Sequence, residues 1–366
     1  MSGEEIYGNT DYTKDVMDGR IENKEIVITG TVFQELIDLK TDGQNISGYR
    51  SQDVLNVILK DCRVYARMSP TQKAMLIQLL QDSSGEMIGM CGDGANDCNA
   101  LKVADVGLSL SSSEASIAAP FTSTVEDISS LVNLLRIGRS SLDLSYLLFK
   151  YMLVYSSMEF TSVIILYFHT SNISDTQLMF IDMFCAVPMT IFLSSLNEKK
   201  RLEPRFPPSS LLSPSILLSL IGQMILMGLS ILGIYFTLRR QGFFEMNEKS
   251  GDIEDENHEV TTIFWFTLPL YIYLGFVFKS SSKFMSSIGD LPQETLILAA
   301  FVFFTQIGLW YWIILGPLPF MKNSLDLVTL DFYFRIIIAG STIGITLISF
   351  IYECWISWLV RKGYIQ

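Results

Sequence analysis

Two aspartates on a glycine-rich turn are the residues of this sequence best suited to chemistry. Asp93 and Asp97 lie four positions apart in the octet Met-Cys-Gly-Asp-Gly-Ala-Asn-Asp. Carboxylate oxygens suit Mg²⁺, which usually keeps several waters and takes only one or two carboxylates beside a phosphate. We therefore predict that both acids bind magnesium, although a bare Gly-Asp-Gly would fit a surface turn equally well. Glycines let the backbone turn sharply beside a ligand; the residues predicted to hold the cofactor are Gly92, Gly94 and Asn96.

A lysine and a Thr-Gly pair upstream complete the predicted phosphate chemistry. Lys73 follows the segment Ala-Arg-Met-Ser-Pro, and its ammonium group is placed to neutralise a phosphoryl group. Thr29 and Gly30 close an earlier apolar run and would offer a hydroxyl and a backbone N–H to the same oxygens. Taken singly, the lysine fits a solvated helix and the Thr-Gly pair fits a turn. The catalytic prediction depends on all three occurring together with the two aspartates.

The elements that must position these residues follow the alternation of a parallel α/β sheet. Helices are predicted to begin near Thr31, Pro70 and Asn96. The predicted strands are residues 25–29, 63–66, 87–91 and 106–110. Ligands of such sheets bind outside the carboxyl ends of the strands, and each motif lies at one of those ends.

The remaining two thirds of the chain has the composition of a membrane domain. The sequence is 49% hydrophobic, and its apolar residues concentrate in long runs of about the 20 residues that cross a bilayer as a helix. The runs are residues 146–168, 177–196, 216–238, 262–278, 295–315 and 335–360. Six buried core helices in succession would be unusual for a soluble domain. We therefore predict an all-α bundle of six transmembrane helices.

Acidic residues within these runs are functional candidates, because an ionisable group inside a bilayer costs about 3 kcal/mol. Glu159 and Asp182 lie at one depth, ~20 Å along two consecutive antiparallel helices at ~1.5 Å per residue. We predict an acidic, aromatic-edged path for an organic polycation, in a helix interrupted by Pro188; two acids that merely hold helices together are the alternative. Glu353 stands alone and is predicted to be structural. The path residues are Tyr155, Glu159, Asp175, Gln177 and Asp182.

Charge predicts the orientation and excludes one class of partner. Residues 197–208 are basic and residues 241–260 are acidic, so the positive-inside bias places the soluble domain and the C-terminus in the cytosol. Residues 1–24 are polar and remain unassigned. A net charge of −12 argues against a nucleic-acid partner. Five scattered cysteines and two histidines argue against a disulfide framework or a histidine-based zinc site.

In their order and spacing, the motifs resemble the phosphorylation domain of P-type ATPases, members of the haloacid-dehalogenase superfamily. The motifs are Thr-Gly, Ala-Arg-Met-Ser-Pro with its following lysine, and Gly-Asp-Gly-Ala-Asn-Asp. The longer run Met-Cys-Gly-Asp-Gly-Ala-Asn-Asp-Cys and the segment Ala-Pro-Phe-Thr-Ser resemble the P5B subfamily. The resemblance extends from about residue 26 to the C-terminus.

This resemblance implies a C-terminal fragment of a P5B pump. Residues 25–141 would be the C-terminal part of the cytosolic phosphorylation domain, with Mg²⁺ on Asp93 and Asp97 and with Lys73 and Thr29 on the phosphoryl group. Residues 142–366 would be a transmembrane domain equivalent to the pump's last six helices. P5B pumps hydrolyse ATP and move polyamines out of late endosomes or lysosomes. The implied partners are membrane lipid, a polyamine or other cation, and the N-terminal half of the pump.

Three positions and one missing motif depart from the family. Thr31 stands where P-type pumps generally have aspartate, Asn99 stands where glycine is expected, and Glu159 replaces a usual glutamine. The sequence contains no Asp-Lys-Thr-Gly-Thr, so we expect the chain to be inactive alone. A non-enzymatic membrane protein that binds or regulates a full-length pump is the alternative. A soluble phosphatase and the helix dislocases of the endoplasmic reticulum fit less well.

Overall fold

The structure is a computed structural model of the chain. It describes residues 27–43, 45–46, 49–110, 114–199, 201–203, 206–244, 257–285, 293–316, 322 and 324–364. The polar segment 1–24, the start of the first predicted strand, and most of the acidic 241–260 loop lie outside the described residues. Two compact units make up the chain, Met1–Leu134 and Leu135–Gln366.

The first unit alternates short strands with helices. Its described elements are β1 (Val27–Thr29), α1 (Gly30–Thr41), β2 (Asn45–Ile46), β3 (Tyr49–Arg50), α2 (Ser51–Asp61), β4 (Val64–Ala66), α3 (Pro70–Ser84), β5 (Gly89–Gly92), α4 (Cys98–Val103), β6 (Val106–Ser109) and β7 (Phe121–Thr122). The four predicted strands are therefore confirmed, as are the helix starts near Thr31 and Pro70. The third predicted helix begins as a 3₁₀ turn, Ala95–Asp97, that leads into α4.

The strands form two small parallel sheets and not the one sheet that was predicted. β1 pairs with β4, with Thr29 opposite Ala66, while β5, β6 and β7 form a separate three-stranded sheet with Gly92 opposite Ser109. A β2–β3 hairpin is antiparallel. The pattern of strand and helix predicts strand direction but not which strands are neighbours. Apolar side chains of α1 and α2 pack against β1 to form a core that includes Phe33 and Val54.

Helix α3 begins and ends where its sequence requires. The Ser69 hydroxyl accepts from the Gln72 backbone N–H, and the Gln72 side chain accepts from the Ser69 N–H, which is a reciprocal capping box. Pro70 occupies the first helical position, where its missing N–H has no helical partner to lose. Gly85 ends the helix with φ +65°, a conformation that costs glycine little.

The second unit is helical. Its described helices are α5 (Ser129–Tyr167, which begins in the first unit), α6 (Asp175–Ile181), α7 (Val187–Ser194), α8 (Pro214–Arg239), α9 (His258–Ser281), α10 (Gln293–Leu315) and α11 (Phe332–Lys362). A π-helical turn, Asp182–Ala186, joins α6 to α7. α9 is almost entirely buried and packs against α8, α10 and α11, so it forms the centre of the bundle.

Five helical segments of the described chain are long and apolar enough to cross a membrane, one fewer than predicted. They are Asp175–Ser194, Pro214–Arg239, His258–Ser281, Thr295–Leu315 and Phe332–Lys362. These segments indicate a multi-pass membrane protein. The predicted span at 146–168 is wrong by this criterion, because that part of α5 carries Lys150, Glu159 and several tyrosines and serines among its apolar residues.

Candidate functional site

The predicted magnesium ligands follow β5 directly. Asp93 leaves the strand and is exposed, whereas Asp97 closes the 3₁₀ turn and is only 8% exposed. Gly92 makes room for this arrangement, since a Cβ built on it would lie 2.7 Å from both Cβ and Oδ2 of Asp97. Side chains of any size at position 92 would therefore displace the Asp97 carboxylate from the carboxyl end of the strand.

Lys73 contacts the second of these acids. Its Nζ lies 2.8 Å from Oδ1 of Asp97, and the two side chains are 34% and 12% exposed. The capping box fixes the start of α3, so Lys73 in the first turn of that helix is held toward β5. The structure thus brings together Lys73 and Asp97, which are 24 residues apart in the sequence.

The Thr29–Gly30 pair lies beside the start of the same helix. Nε2 of Gln72 donates to the Gly30 carbonyl at 2.9 Å, and a Cβ built on Gly30 would lie 2.6 Å from the Arg67 carbonyl oxygen. The Thr29 hydroxyl is 3.0 Å from that of Thr31. Arg67 has φ +51°, a conformation uncommon outside glycine, at the point where β4 ends. Position 30 therefore needs a glycine because the Arg67 backbone approaches it closely, and not only because the chain turns there.

These residues fit a magnesium ion as a partial ligand set. Among the described residues, no three His, Cys, Asp or Glu side chains form a preformed metal cage. Mg²⁺ needs no such cage, because waters and phosphate oxygens usually complete its octahedron beside one or two carboxylates. Burial, followed by the charges of Asp93 and Asp97, raises the pKa of the nearby Cys91 thiol, which keeps that thiol protonated. Carboxylate oxygens are thus the available hard donors at this position.

A second cluster of acids lies where α5 contacts the π-helical turn. The Tyr155 hydroxyl is 2.6 Å from Oε1 of Glu159 and is also hydrogen-bonded to Oδ1 of Asp182. A tyrosine hydroxyl carries one hydrogen, so it can donate to only one of the two carboxyl groups. The trio of Tyr155, Glu159 and Asp182 thus brings two acidic side chains to one hydroxyl.

Two aromatic rings lie beside Tyr155. The Tyr155 ring is 5% exposed and lies 5.0 Å from the ring of Tyr271 and 6.4 Å from that of Tyr151, measured between centroids. Glu159 is half-buried and Asp182 is exposed. The trio therefore combines two carboxyl groups, an aromatic wall and one accessible side, which are the features that bind an organic ammonium group.

The chain around Asp182 is wound as a π helix. Pro188 has no N–H, so the helix loses the bond that this residue would make to the carbonyl four positions earlier. The π-helical turn Asp182–Ala186 lies immediately before it. We predicted that Pro188 interrupts this helix. The structure shows a widened, π-helical turn before Pro188, and the helix continues after it. Single π turns of this kind are frequent at functional sites.

Two further predicted path residues are not joined to the trio by the hydrogen bonds described. Asp175 lies exposed in the first turn of α6. Gln177 is fully buried: its Nε2 donates to the Leu325 carbonyl at 2.6 Å, and its Oε1 accepts from the Ser174 N–H at 3.4 Å. Gln177 therefore helps to cap the start of α6 and joins that helix to the backbone at Leu325.

Glu353 is not alone, which corrects the sequence-based expectation. It is 1% exposed, and its Oε1 accepts from the Ser219 hydroxyl at 2.6 Å and from Nε2 of Gln223 at 3.3 Å. Nζ of Lys150 lies 3.9 Å from its Oε2, 3.2 Å from Ser219 Oγ and 4.6 Å from the centre of the Phe278 ring. A polar network therefore joins α5, α8 and α11. Ser219 and Gln223 lie four positions apart, and therefore on one face of α8. This pair of polar residues is the feature of the sequence that could have indicated a partner for Glu353.

Comparison with known proteins shows that the chain is similar to transport ATPases. The cation-transporting ATPase catp-5 of Caenorhabditis elegans is 38% identical over 237 residues. The human polyamine-transporting ATPase 13A2 is 39% identical over 233 residues, and the vacuolar cation-transporting ATPase YPK9 of Saccharomyces cerevisiae is 36% identical over 255 residues. The chain is a homologue of cation- and polyamine-transporting ATPases. No family model matches the chain.

The similarity to these transport ATPases covers most of the chain but a small part of each relative. The alignment with catp-5 covers 64% of this chain and 20% of the relative. The alignment with ATPase 13A2 covers 63% and 20%, and that with YPK9 covers 70% and 17%. The chain thus spans about a fifth of the length of the curated relatives that it matches.

Proposed function

We propose that this chain is part of a P5B ATPase that couples ATP hydrolysis to the movement of polyamines across an endomembrane. The observation that carries the proposal is the trio of Tyr155, Glu159 and Asp182 within the bundle of a chain homologous to polyamine-transporting ATPases. Two acidic side chains that share one hydroxyl form a site complementary to a cation. An ammonium group entering this position would interact with both acids.

The surroundings of the trio favour an organic cation over a bare metal ion. A divalent metal takes six or more oxygen ligands in a compact shell, whereas the trio offers carboxyl groups on one side and aromatic rings on the other. Ammonium groups bind to carboxylates and stack over aromatic faces. Glu159 supplies one more negative charge than the glutamine that we take as usual for the subfamily, so the site has a higher charge complementarity to polyamines.

The first unit is proposed to be the C-terminal part, residues 25–141, of a haloacid-dehalogenase-like phosphorylation domain. Asp93 and Asp97 would hold Mg²⁺, which neutralises phosphate charge when bound. Lys73 and Thr29 would contact the phosphoryl oxygens, and the ion pair of Lys73 with Asp97 would orient the lysine until phosphate arrives. Gly92 and Gly30 keep the backbone close to the ligand, while Gly94 and Asn96 shape the intervening turn.

Helix α5 is proposed to transmit the phosphorylation cycle to the cation site. It runs without interruption from Ser129 to Tyr167 and carries Tyr155 and Glu159. Although its composition is more polar than that of the five candidate spans, its hydrogen bond to Asp182 places it beside one of them. The domain after residue 142, with both the soluble part and the C-terminus in the cytosol, would sit in a late endosomal, lysosomal or vacuolar membrane and work with the N-terminal half of the pump.

Binding of spermine to the purified chain tests the cation site without requiring turnover. We expect calorimetric binding in lipid nanodiscs, and at least tenfold weaker binding, about 1.4 kcal/mol, for Asp182→Asn and for Glu159→Gln. Asp331→Asn makes the same charge change at an exposed position before α11, where asparagine can still cap the helix, and should change affinity about twofold or less. Equal affinity of wild type and folded Asp182→Asn would show that the two acids only hold the helices together.

A further inference from the structure

A cavity of about 140 Å³ lies among helix ends of the second unit, and no member of the trio lines it. Its walls come from α5, α8 and α11, and from the end of α9 with the residues that follow. The charged side chains that line it are those of Asp143, Lys150, Lys283 and Glu353. One water molecule needs about 10–15 Å³ of such space, so the cavity is large enough for a small organic group.

One wall of the cavity already holds an alkylammonium group, the side chain of Lys150. Its Nζ donates to Ser219 Oγ at 3.2 Å, lies 4.6 Å from the centre of the Phe278 ring and is 3.9 Å from Oε2 of Glu353. A hydroxyl, an aromatic face and a carboxylate are partners that suit a primary ammonium, which has three donors and no acceptor. The wall therefore has the chemistry to bind a free alkylammonium as well.

The carboxylate of Glu353 is only partly satisfied by the bundle. Its Oε1 accepts from Ser219 and from Gln223, whereas the 3.9 Å between Oε2 and Lys150 Nζ is longer than a hydrogen bond. Oε2 accepts no hydrogen bond from any residue that the structure describes. Because Glu353 is 1% exposed, its charge needs close donors to offset the lost hydration. A second ammonium in the cavity would supply such a donor.

A second acid gives Lys150 an alternative partner in the same cavity. Asp143 lines the cavity and precedes Lys150 by seven positions, so both lie on one face of α5. Side chains on a helix lean toward its N-terminus, which directs the lysine toward Asp143. The Asp143 carboxylate is held by a hydrogen bond from the Ser282 hydroxyl. A lysine displaced from Glu353 would therefore still have a counter-charge.

We propose that this cavity binds the primary ammonium end of an aliphatic amine, which takes the place of Lys150 beside Glu353 and Phe278. The aliphatic chain would lie against Ile216 and Ile356, which line the same cavity. Two acids and two lysines line the cavity, so their charges balance and a ligand end with one positive charge fits better than one with several.

The cavity lies at the end of the bundle that carries the C-terminus of α11, since it reaches Val360. In the proposed orientation this end faces the cytosol, the side on which a transported polyamine would be released. A role as a sensor of released amine therefore rests on the proposed function. Binding of an alkylammonium to the cavity does not.

Binding of n-propylamine to the purified chain tests the site. This probe has the same heavy atoms as the part of the lysine side chain that Lys150→Ala removes. Its binding is measured by calorimetry in lipid nanodiscs, with the ionic strength matched by sodium chloride. We expect Lys150→Ala to bind n-propylamine at least about tenfold more tightly than wild type, because the competing ammonium is gone and a buried carboxylate has lost its cation.

The unfolding temperature gives a second measurement. n-Propylamine should raise that of Lys150→Ala, since a ligand that binds only the folded state stabilises it. n-Propanol, which has a similar shape but no charge, should leave it unchanged. Adding Glu353→Gln to Lys150→Ala should abolish both the tighter binding and the stabilisation, because no carboxylate then faces the ammonium.

The matched control removes a lysine at the exposed end of α11. Lys362→Ala should bind n-propylamine within about twofold of wild type. Unchanged affinity of Lys150→Ala would refute the site, and so would equally tight binding by the double variant with Glu353→Gln. If Lys150→Ala does not fold, Lys150→Met with Glu353→Gln takes its place, and binding as tight as that of wild type would then refute the site. Asp182→Asn should keep n-propylamine binding in the cavity while it loses spermine binding at the trio, so the two proposals fail separately.

Discussion

The hydroxyl of Tyr155 and the carboxylate of Asp182, 27 residues apart, are hydrogen-bonded between α5 and the π-helical turn. The same hydroxyl reaches Glu159 one turn further along α5. A single tyrosine thus determines the separation of two acids that would otherwise repel each other. The two acids and the widened helix are thus brought together at one position.

Removal of this hydroxyl is the most direct test of that relationship. We expect Tyr155→Phe to lower the free energy of unfolding by about 2 kcal/mol, the usual net value of a hydrogen bond to a charged group. Chemical unfolding in detergent measures it. Tyr167→Phe, at an exposed position of the same helix, is the control and should stay within about 0.5 kcal/mol of wild type. A Tyr155→Phe variant as stable as its control would mean that the trio contributes nothing to folding.

Gly92 offers a similar test at the carboxylate turn. Gly92→Ala places a Cβ 2.7 Å from the Asp97 side chain, so we expect a loss of about 1–3 kcal/mol in stability, as for overpacking elsewhere. Gly94→Ala is the matched control, because the nearest atom to its added Cβ is 4.0 Å away. Thermal unfolding of both variants decides the matter. If the two variants behave alike, the close approach of strand and carboxylate does not hold in solution.

The proposed magnesium ligand is tested by activity in a complete pump. In a chimaera where this chain replaces the homologous segment of human polyamine-transporting ATPase 13A2, we expect Asp93→Ala to abolish vanadate-sensitive ATP hydrolysis, because phosphate charge would lose its magnesium ion. Asp82→Ala, an exposed acid on α3, should retain full activity. Hydrolysis that survives Asp93→Ala would remove this residue from the proposed metal site.

The strands and helices of the first unit could be predicted from sequence because their signals are local. Each predicted strand ends at a short motif, and Pro70 and Gly85 mark the two ends of α3. The contact of Lys73 with Asp97 and the approach of Gly30 to Arg67 depend on which strands are neighbours. That information is not local, so one parallel sheet was predicted where the described residues form two.

In the helical bundle, too, local features could be predicted from sequence and contacts between distant residues could not. Hydropathy alone locates five spans, whereas the contacts of polar side chains such as Lys150, whose partners Ser219 and Glu353 lie on other helices, could not be predicted from it. Glu353 appeared isolated for the same reason. Its partners Ser219 and Lys150 lie 134 and about 200 residues away, and no local pattern connects them.

The Lys150–Glu353 network should behave as a buried ion pair. We expect Lys150→Met to lower the free energy of unfolding by about 3 kcal/mol, because it leaves a buried carboxylate without its cation. Adding Glu353→Gln to that variant should recover most of the loss, since the amide needs no counter-charge. Lys362→Met at the exposed end of α11 is the control. Strictly additive losses in the double variant would show that the two residues do not interact.

Asp105 provides a pH-dependent test of the first unit. Its Oδ2 accepts from Nε2 of Gln81 at 2.9 Å and from the Ile88 N–H at 2.8 Å, and these bonds lower the pKa of this carboxyl below its ordinary value. A lowered pKa in the folded state means that the carboxylate stabilises the fold above the unfolded-state pKa of about 3.9. This contribution disappears as the pH falls through the folded-state pKa.

We therefore expect Asp105→Asn to be less stable than wild type at pH 7 and the difference to shrink toward zero below about pH 4. Unfolding of both proteins at pH 7, 5, 4 and 3 measures the difference directly. Asp82→Asn, on the exposed side of α3, controls for the loss of one negative charge. A constant difference between Asp105→Asn and wild type across that range would show that the two hydrogen bonds do not depend on the ionised carboxylate.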